Sequence, residues 1–275
     1  MPALRLTCHP GSRTCNTHYN VTYVVVELCS SVISFIIPAY NEERLLSRTL
    51  ASIKSAAATL DEPFEIVVAD DASTDRTAEI AAAHGAVVAT VHRRQIAATR
   101  NAGARAARGE TFIFVDADTV VTKTAVRGAV KAMRGGAVGG GCAVKFDGWL
   151  PLYARILQAV VMPLYRTAGL AAGCFLFCTR KGFESVGGFN ETLFGGEEAV
   201  MSHALKRHGR FVVLRALVTT SGRKLRAYSA REILGLLARL ALSGPKSVRR
   251  REGLEVWYGE RREDPAAVGV AMPFK

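Results

Sequence analysis

Acidic residues in this chain gather in short clusters, each directly after a run of β-branched and aromatic residues. Glu42 follows Pro38-Ala39-Tyr40-Asn41, Asp70 and Asp71 follow Phe64–Ala69, and Asp116 and Asp118 follow Thr111–Val115. Carboxylate oxygens suit hard divalent cations, and Mg²⁺ or Mn²⁺ is commonly shared between one or two carboxylates and substrate phosphates. An Asp-x-Asp pair after a hydrophobic strand therefore fits chemistry at a phosphate, where a metal neutralises charge developing on the leaving group. Further along, Gly195-Gly196 precede Glu197-Glu198. A carboxylate there can accept a proton, or simply complement the N-terminus of a helix. The chain has no His-Glu-x-x-His, no Gly-x-x-x-x-Gly-Lys-Ser/Thr and no Gly-x-Gly-x-x-Gly opening a helix after its first strand. Zinc peptidase, P-loop and dinucleotide-binding chemistry thus lose their main support.

The elements that must position these residues alternate regularly in the first half. Val32–Ile37 reads as a strand stopped by Pro38, followed by a helix over Glu42–Ala58 with Leu45, Leu46, Leu50 and Ile53 at helical spacing. Phe64–Ala69 is a second strand, followed by a helix from Thr74 to His84 with Ser73 as N-cap and Gly85 as C′ residue. A strand at Ala86–Val91, a helix over Ile96–Arg108 and a near-continuously apolar strand at Thr111–Val115 complete the pattern. Such alternation predicts an α/β fold with a Rossmann-like, mostly parallel sheet flanked by helices. In open α/β sheets ligands bind beyond the carboxyl ends of the strands, where all three acidic clusters fall. The second half reads as a strand at Ala137–Phe146, a helix over Leu150–Ala168, a strand at Ala171–Thr179 and a helix over Glu197–His208. Short strands at Phe211–Leu214 and Ala216–Thr219 and a helix over Tyr228–Leu242 follow.

With 275 residues, 49% of them hydrophobic and 22% charged, the chain can bury a sizeable core. Its six cysteines form no Cys-x-x-Cys pair, so a disulfide scaffold and a structural zinc site are both unexpected. Reduced thiols in a cytoplasmic protein are the simpler reading. The first thirty residues lack the pattern of a signal peptide, and Trp149–Cys178 is apolar but interrupted by Arg155, Arg166, Pro151 and Pro163. That stretch suits an interfacial helix better than a membrane span. Net charge is +12, of which residues 201–275 carry +10 (16 basic, 6 acidic). A basic C-terminal third calls for an anionic neighbour.

Several blocks of the sequence resemble family 2 glycosyltransferases, which have the GT-A fold. Ser34-Phe35-Ile36-Ile37-Pro38-Ala39-Tyr40-Asn41-Glu42-Glu43 looks like that family's opening strand and nucleotide loop, and Val67–Thr77, with Asp70-Asp71, like its second block. Ala98-Thr99-Arg100-Asn101-Ala102-Gly103, Phe114-Val115-Asp116-Ala117-Asp118 and Val186-Gly187-Gly188-Phe189-Asn190 follow in the family's order. The resemblance spans roughly residues 32 to 225. It implies a nucleotide-binding half over 32–120 and an acceptor half over 121–225, between an N-terminal extension (1–31) and a basic helical extension (226–275).

The roles the resemblance implies attach to matching positions only. Pro38, Tyr40 and Glu42 would hold the base and ribose of a nucleotide-diphosphate sugar, UDP- or GDP-linked, with Asp70 or Asp71 reading the base. Asp118 would bind Mg²⁺ or Mn²⁺ bridging the diphosphate, and Asp116 would contact the ribose, the metal or its bound water. Arg100 and Asn101 would shape the donor pocket. Many relatives carry Glu-Asp where this chain has Glu197-Glu198, so Glu198 stands at the position of the catalytic base, with Glu197 the other candidate. The family's late histidine has no counterpart, and Arg223 or Lys224 would meet the diphosphate instead. His203 and His208 read as surface residues. The acceptor would be a glycan, a lipid-carried group or a small molecule, and the reaction would invert the anomeric centre.

Two other readings compete. Asp116-Ala117-Asp118-Thr119-Val120 also fits the nucleophile motif of haloacid-dehalogenase-type phosphatases, although that motif normally follows the first strand. A basic nucleic-acid-binding module would use the C-terminal third, but Trp257 and Tyr258 are its only adjacent aromatics and nucleic acid is not an expected partner. The apolar positions Ile233, Leu234, Leu236, Leu237, Leu240 and Leu242, next to Arg249, Arg250 and Arg251, suggest peripheral contact with an anionic membrane, at the inner face of the cytoplasmic membrane.

Overall fold

The computed structural model describes residues 32–243, 248–260 and 262–266. The expected N-terminal extension therefore lies outside the described residues, apart from its boundary. In the first half, β1 (Ile33–Ala39), α1 (Leu46–Ala57), β2 (Phe64–Asp70), α2 (Thr77–Ala83), β3 (Val87–Thr90), α3 (Ile96–Ala106) and β4 (Thr111–Val115) alternate as the sequence predicts. Then come β5 (Thr119–Val120), α4 (Lys123–Arg134), β6 (Ala137–Phe146), α5 (Leu152–Thr167), β7 (Phe175–Thr179), α6 (Arg180–Ser185), α7 (Glu197–His208) and β8 (Arg210–Thr220). Three helices close the described chain: α8 (Arg223–Ala227), α9 (Ala230–Ser243) and α10 (Glu255–Tyr258).

Among the described residues the strands form one eight-stranded sheet in the order β3-β2-β1-β4-β7-β6-β8-β5. β3, β2, β1 and β4 run parallel, as do β6 and β8, whereas β7 is antiparallel to both its neighbours and β5 is antiparallel to β8. Side-chain alternation explains why β1 and β4 are apolar almost throughout. Ile33, Phe35 and Ile37 with Ile113 and Val115 fill the core on one face, while Ile36 with Phe112 and Phe114 fill the other. On that second face Phe112, Phe114, Phe183 and Phe189 pack edge-to-face and stacked at centroid distances of 5.0–6.2 Å.

Several boundaries differ from the sequence reading, each for a local reason. Pro38 does not stop the first strand but lies inside it, opposite Ala69 of β2. β1 pairs with β4 only through Ile36, so beyond that point one edge is open and a residue without an N–H is tolerated. Ser73 is not a helix cap: its hydroxyl donates to Asp70, and α2 begins later, where Asp75 Oδ1 accepts from the Thr77 N–H at 2.9 Å. The two short strands expected after α7 are one strand. The register against β6 steps from Leu214 to Leu217, leaving Arg215 and Ala216 as a bulge. The helix–strand contact that matters most for the site is α3 on β1. A Cβ on Gly103 would come within 2.6 Å of Ile36 Cγ2, so this helix lies closer to the sheet than an alanine would allow.

Candidate active site

The carboxyl ends of β1, β2 and β4 bring all three acidic clusters to one edge of the sheet. The loops there are conformationally demanding. Asn41, Ala72 and Arg94, the non-glycine residues with positive φ among those described (51°, 57° and 49°), all lie in the loops at this edge. Such strain persists only where surrounding contacts over-determine it, and it concentrates at functional sites. Asn41 is held by Thr74, whose N–H donates to its Oδ1 at 2.8 Å, and its own N–H donates to Ser73 Oγ at 2.9 Å.

A cavity of about 100 Å³ opens among these loops, lined by Pro38, Tyr40, Glu42, Asp71, Asp116 and Asp118. Six residues singled out from the sequence thus converge. Lys224, the other basic candidate for the diphosphate, also lines it, as do Arg94, Gln95, Thr99, Trp257 and Tyr258, whose part in it sequence reasoning missed. The Arg94 guanidinium stacks over the Tyr40 ring, 3.2 Å from its centroid. Trp257 and Tyr258 arrive from α10. The Tyr258 hydroxyl accepts from the Ile96 N–H at 3.4 Å, its ring packs edge-on to Phe194, and Arg251 donates to its carbonyl at 2.9 Å while facing its ring. All three arginines, Arg249, Arg250 and Arg251, are exposed, and Arg251 bonds and faces Tyr258. A basic, aromatic segment about 140 residues beyond the Asp-x-Asp pair offered no local pattern to connect the two.

Two acidic residues of the second cluster do structural duty. Asp71 Oδ1 accepts from the N–H groups of Arg93 and Arg94 at 2.7 and 2.9 Å, and Oδ2 from the Gln95 N–H at 3.1 Å and Thr99 Oγ1 at 2.8 Å. These bonds set the start of α3. Asp70 is turned to Ser73 and does not line the cavity. Asn101 also stands off: its side chain clamps Phe189, accepting from its N–H and donating to its carbonyl, both at 2.9 Å. It shapes the Gly-Gly-Phe turn, not the donor pocket.

Arg100 is the hinge of the site. It is 3% exposed, and its guanidinium donates to Glu197 Oε1 at 2.6 Å, to Asp116 Oδ1 at 2.9 Å and to the Gly173 carbonyl at 3.0 Å. Contrary to the sequence reading, the side chain does not line the cavity; it binds the Asp-x-Asp turn to the start of α7. Burial raises the Asp116 carboxyl above its ordinary range, with Arg100 opposing that and the neighbouring Asp118 charge adding to it.

Glu197 and Glu198 open α7 after Gly196, which takes a left-handed conformation (φ 71°) at the cap. Glu197 is buried and committed to Arg100. Its neighbour is not: a Cβ on Gly173 would lie 3.0 Å from Arg100 Nη2 and 3.6 Å from Glu198 Cδ, placing the Glu198 carboxyl beside that cation. Burial and then the Glu197 charge push Glu198 up to about 7, with Arg100 pulling the other way. One carboxylate is fixed by an ion pair, and the other has a raised proton affinity.

On the opposite flank Arg223 joins the first and third clusters. Its Nη2 lies 2.5 Å from Glu42 Oε1 and 3.2 Å from Asp118 Oδ2, and Thr220 Oγ1 donates to Asp118 Oδ1 at 3.3 Å. Arg223 and Lys224 also line a larger neighbouring cavity of about 490 Å³ with Asn41, Glu42 and residues of the C-terminal segment. His203 and His208 are exposed on α7, as expected. Among the described residues no group of three or more His, Cys, Asp or Glu is arranged to hold a metal. Asp116 and Asp118 nonetheless form an all-oxygen pair facing one cavity, which fits a hard cation that takes its remaining ligands from phosphate and water. Cys142, Cys174 and Cys178 are buried free thiols.

A mostly parallel, helix-flanked sheet with an Asp-x-Asp turn at one strand end and an acidic pair opening a later helix defines a GT-A-type protein. The family model for glycosyl transferase family 2 matches residues 34–183, more than half of the chain, and the chain belongs to that family. It is 39% identical over 94 residues to undecaprenyl-phosphate 4-deoxy-4-formamido-L-arabinose transferase of Pseudomonas paraeruginosa, covering 32% of this chain and 28% of that protein. It is 32% identical over 125 residues to validoxylamine A glucosyltransferase of Streptomyces hygroscopicus subsp. limoneus, covering 42% and 27%. The matched stretch thus spans little more than a quarter of these relatives. Among solved structures, the mannosyltransferase PcManGT from Pyrobaculum calidifontis, in complex with GDP-Man and Mn²⁺, superposes with a TM-score of 0.59 at 20% identity over 76% of this chain and 61% of that one. Glucosyl-3-phosphoglycerate synthase from Mycobacterium tuberculosis, with Mn²⁺, UDP and glucosyl-3-phosphoglycerate, gives 0.54 at 20% identity over 85% and 82%. These two share the fold.

Proposed function

We propose that this protein transfers a sugar from a nucleotide-diphosphate sugar to an acceptor hydroxyl, inverting the anomeric carbon, with Glu198 as general base. The observation that carries the reading is the Arg100 relay. One buried cation grips both Asp116, at the donor cavity, and Glu197, so that Glu198 stands beside the donor end with its proton affinity tuned to neutrality. The carboxylate of Glu198 accepts the acceptor hydroxyl proton as that oxygen attacks, the bond from the anomeric carbon to the diphosphate breaks, and the electron pair leaves with the nucleotide. A single displacement of this kind inverts configuration. Tyr40, Arg94 and Trp257 offer ring and guanidinium faces for a nucleobase, and Lys224 and Arg223 offer charge for the diphosphate.

Asp118 and Asp116 would hold Mg²⁺ or Mn²⁺. When bound, such an ion neutralises charge on the departing diphosphate. Mn²⁺ accompanies the nucleotide or nucleotide sugar in the two superposed structures named above, which favours a divalent ion here. UDP- and GDP-linked donors both remain compatible, and the acceptor hydroxyl would belong to a glycan, a lipid-carried group or a small molecule; the undecaprenyl phosphate in one relative's name presents a phosphate oxygen instead, which needs no general base. Neither a phosphatase nor a nucleic-acid module finds support in these matches.

The reading is tested by thermal shift with UDP- and GDP-sugars, with and without Mn²⁺, followed by product NMR. A ligand that binds only the native state adds roughly 2.7 kcal/mol at about a hundred times its dissociation constant. No shift with any donor, or a product of retained configuration, would remove the proposal.

A further inference from the structure

Helix α5 presents its apolar side outward. Leu152, Ile156, Val160 and Leu164 recur every fourth residue and are 70%, 58%, 54% and 59% exposed, and Trp149, just before the helix, is 58% exposed. Of its sixteen residues only Ala154 is buried. A helix facing water normally turns such a stripe to the core, and a contiguous exposed apolar patch marks an interaction surface.

We propose that this face of α5 seats the protein on an anionic lipid surface. Charge selects that occupant. The helix carries Arg155 and Arg166, both exposed, and no acidic residue. At about 100° per residue the two arginines fall about 20° apart, along one flank of the stripe. Arg215 and Leu217, exposed on and beside the β8 bulge, extend the same combination, and Leu217 meets Met162 of α5 across a shared cavity. A tryptophan at the edge of an apolar stripe flanked by arginines is the composition of an interfacial helix. A second copy fits less well in an antiparallel pairing, because a twofold across the helix axis would set the basic flanks near one another. No helix among the described residues is long and apolar enough to cross a membrane, so this face would lie on the surface.

The position also suits the chemistry. Between α5, β6 and β8 lies a cavity of about 580 Å³ lined by Met162, Tyr165, Leu170, Ala172, Val213 and Leu217. Burial, and next the charge of Glu198, raises the Tyr165 hydroxyl above its ordinary range, so this wall is within electrostatic reach of the candidate base. The residue after Ala172 is Gly173, which bonds Arg100. A lipid surface under α5 would therefore lie on the acceptor side of the site, on the reading above; docking itself does not depend on that reading.

Vesicle flotation of the full chain tests it, with phosphatidylcholine alone and with about one third phosphatidylglycerol, at low and high salt. The wild type should float with the anionic vesicles at low salt, and Ile156→Glu/Val160→Glu should lose at least tenfold in binding while keeping its melting temperature and nucleotide binding. Arg155→Glu/Arg166→Glu should lose the preference for anionic lipid. No flotation of the wild type overturns the proposal. So does undiminished flotation of the Ile156→Glu/Val160→Glu variant, or its loss only in Arg249→Glu/Arg250→Glu, which would move the contact to the C-terminal segment. A dimer in solution that the Ile156→Glu/Val160→Glu change dissociates would assign the stripe to a second copy instead.

Discussion

Helices α3 and α5 are built to opposite plans. α3 buries Ala97, Ala98, Thr99, Arg100, Asn101, Gly103 and Ala104, polar residues included, and its buried Arg100 and Asn101 are each hydrogen-bonded to protein partners. α5 is longer and buries one alanine. The difference divides the molecule by task. On the proposed function, a donor with invariant parts, a base, a ribose and a diphosphate, would be met by a preformed scaffold of buried, hydrogen-bonded side chains. On the same proposal, the side that would meet the acceptor leaves apolar area uncovered, where the lipid surface proposed above would complete it.

Breaking the donor side should have the largest effect. Asp118→Asn should abolish turnover and the metal-dependent part of nucleotide binding, measured by calorimetry with and without Mn²⁺, while circular dichroism stays native. Full activity in this variant, or in excess chelator, removes the metal assignment. Glu198→Gln should lower kcat by roughly 10²–10⁴ with donor affinity little changed. If Glu197→Gln alone carries that loss, the roles of the pair are exchanged.

Removing the relay cation should act on stability first. Arg100→Met strands Glu197 as a buried carboxylate and removes the partner of the half-buried Asp116, and breaking the buried pair costs about 3–5 kcal/mol, seen as a lower denaturant midpoint. A midpoint shift as small as that of a surface change would mean that Arg100 is not what joins the two halves. The α3–α5 comparison itself is sharpened by a matched pair. Gly103→Ala forces a methyl against Ile36 and should cost about 1–3 kcal/mol, whereas Ile156→Ser should stay within about 0.5 kcal/mol.

A further test is a pH signature. Glu198 is raised from 4.5 to about 7 on folding, so the native state favours its protonated form. Its contribution to stability is therefore greatest below the unfolded value and is lost as pH rises from about 4.5 through 7. Glu198→Gln should melt higher than wild type at pH 8 and show no such gain at pH 4.5. In the wild type, kcat should fall on the acid side with an apparent midpoint near 7 as the base takes up its proton.

Much of this was determined by local sequence. Strand and helix periods, the places of the acidic clusters at strand ends, and even the limits of β4, β6 and α7 follow from hydrophobic alternation and glycine punctuation, which act over a few residues. The order of the family's blocks did the rest for the class of fold. Which carboxylates stay available was not legible there. Asp71 spends its oxygens on backbone amides more than twenty residues away, and Glu197 differs from Glu198 only because Arg100, almost a hundred residues earlier, reaches one and not the other in the same way. Tyr258, with Trp257 beside it, enters the cavity wall through its ring on Phe194 and its hydroxyl on the Ile96 amide. The direction in which α5 turns its leucines is likewise a tertiary matter. Periodicity specifies that a helix has an apolar face, but only the placement of the sheet and its neighbours decides whether that face is covered.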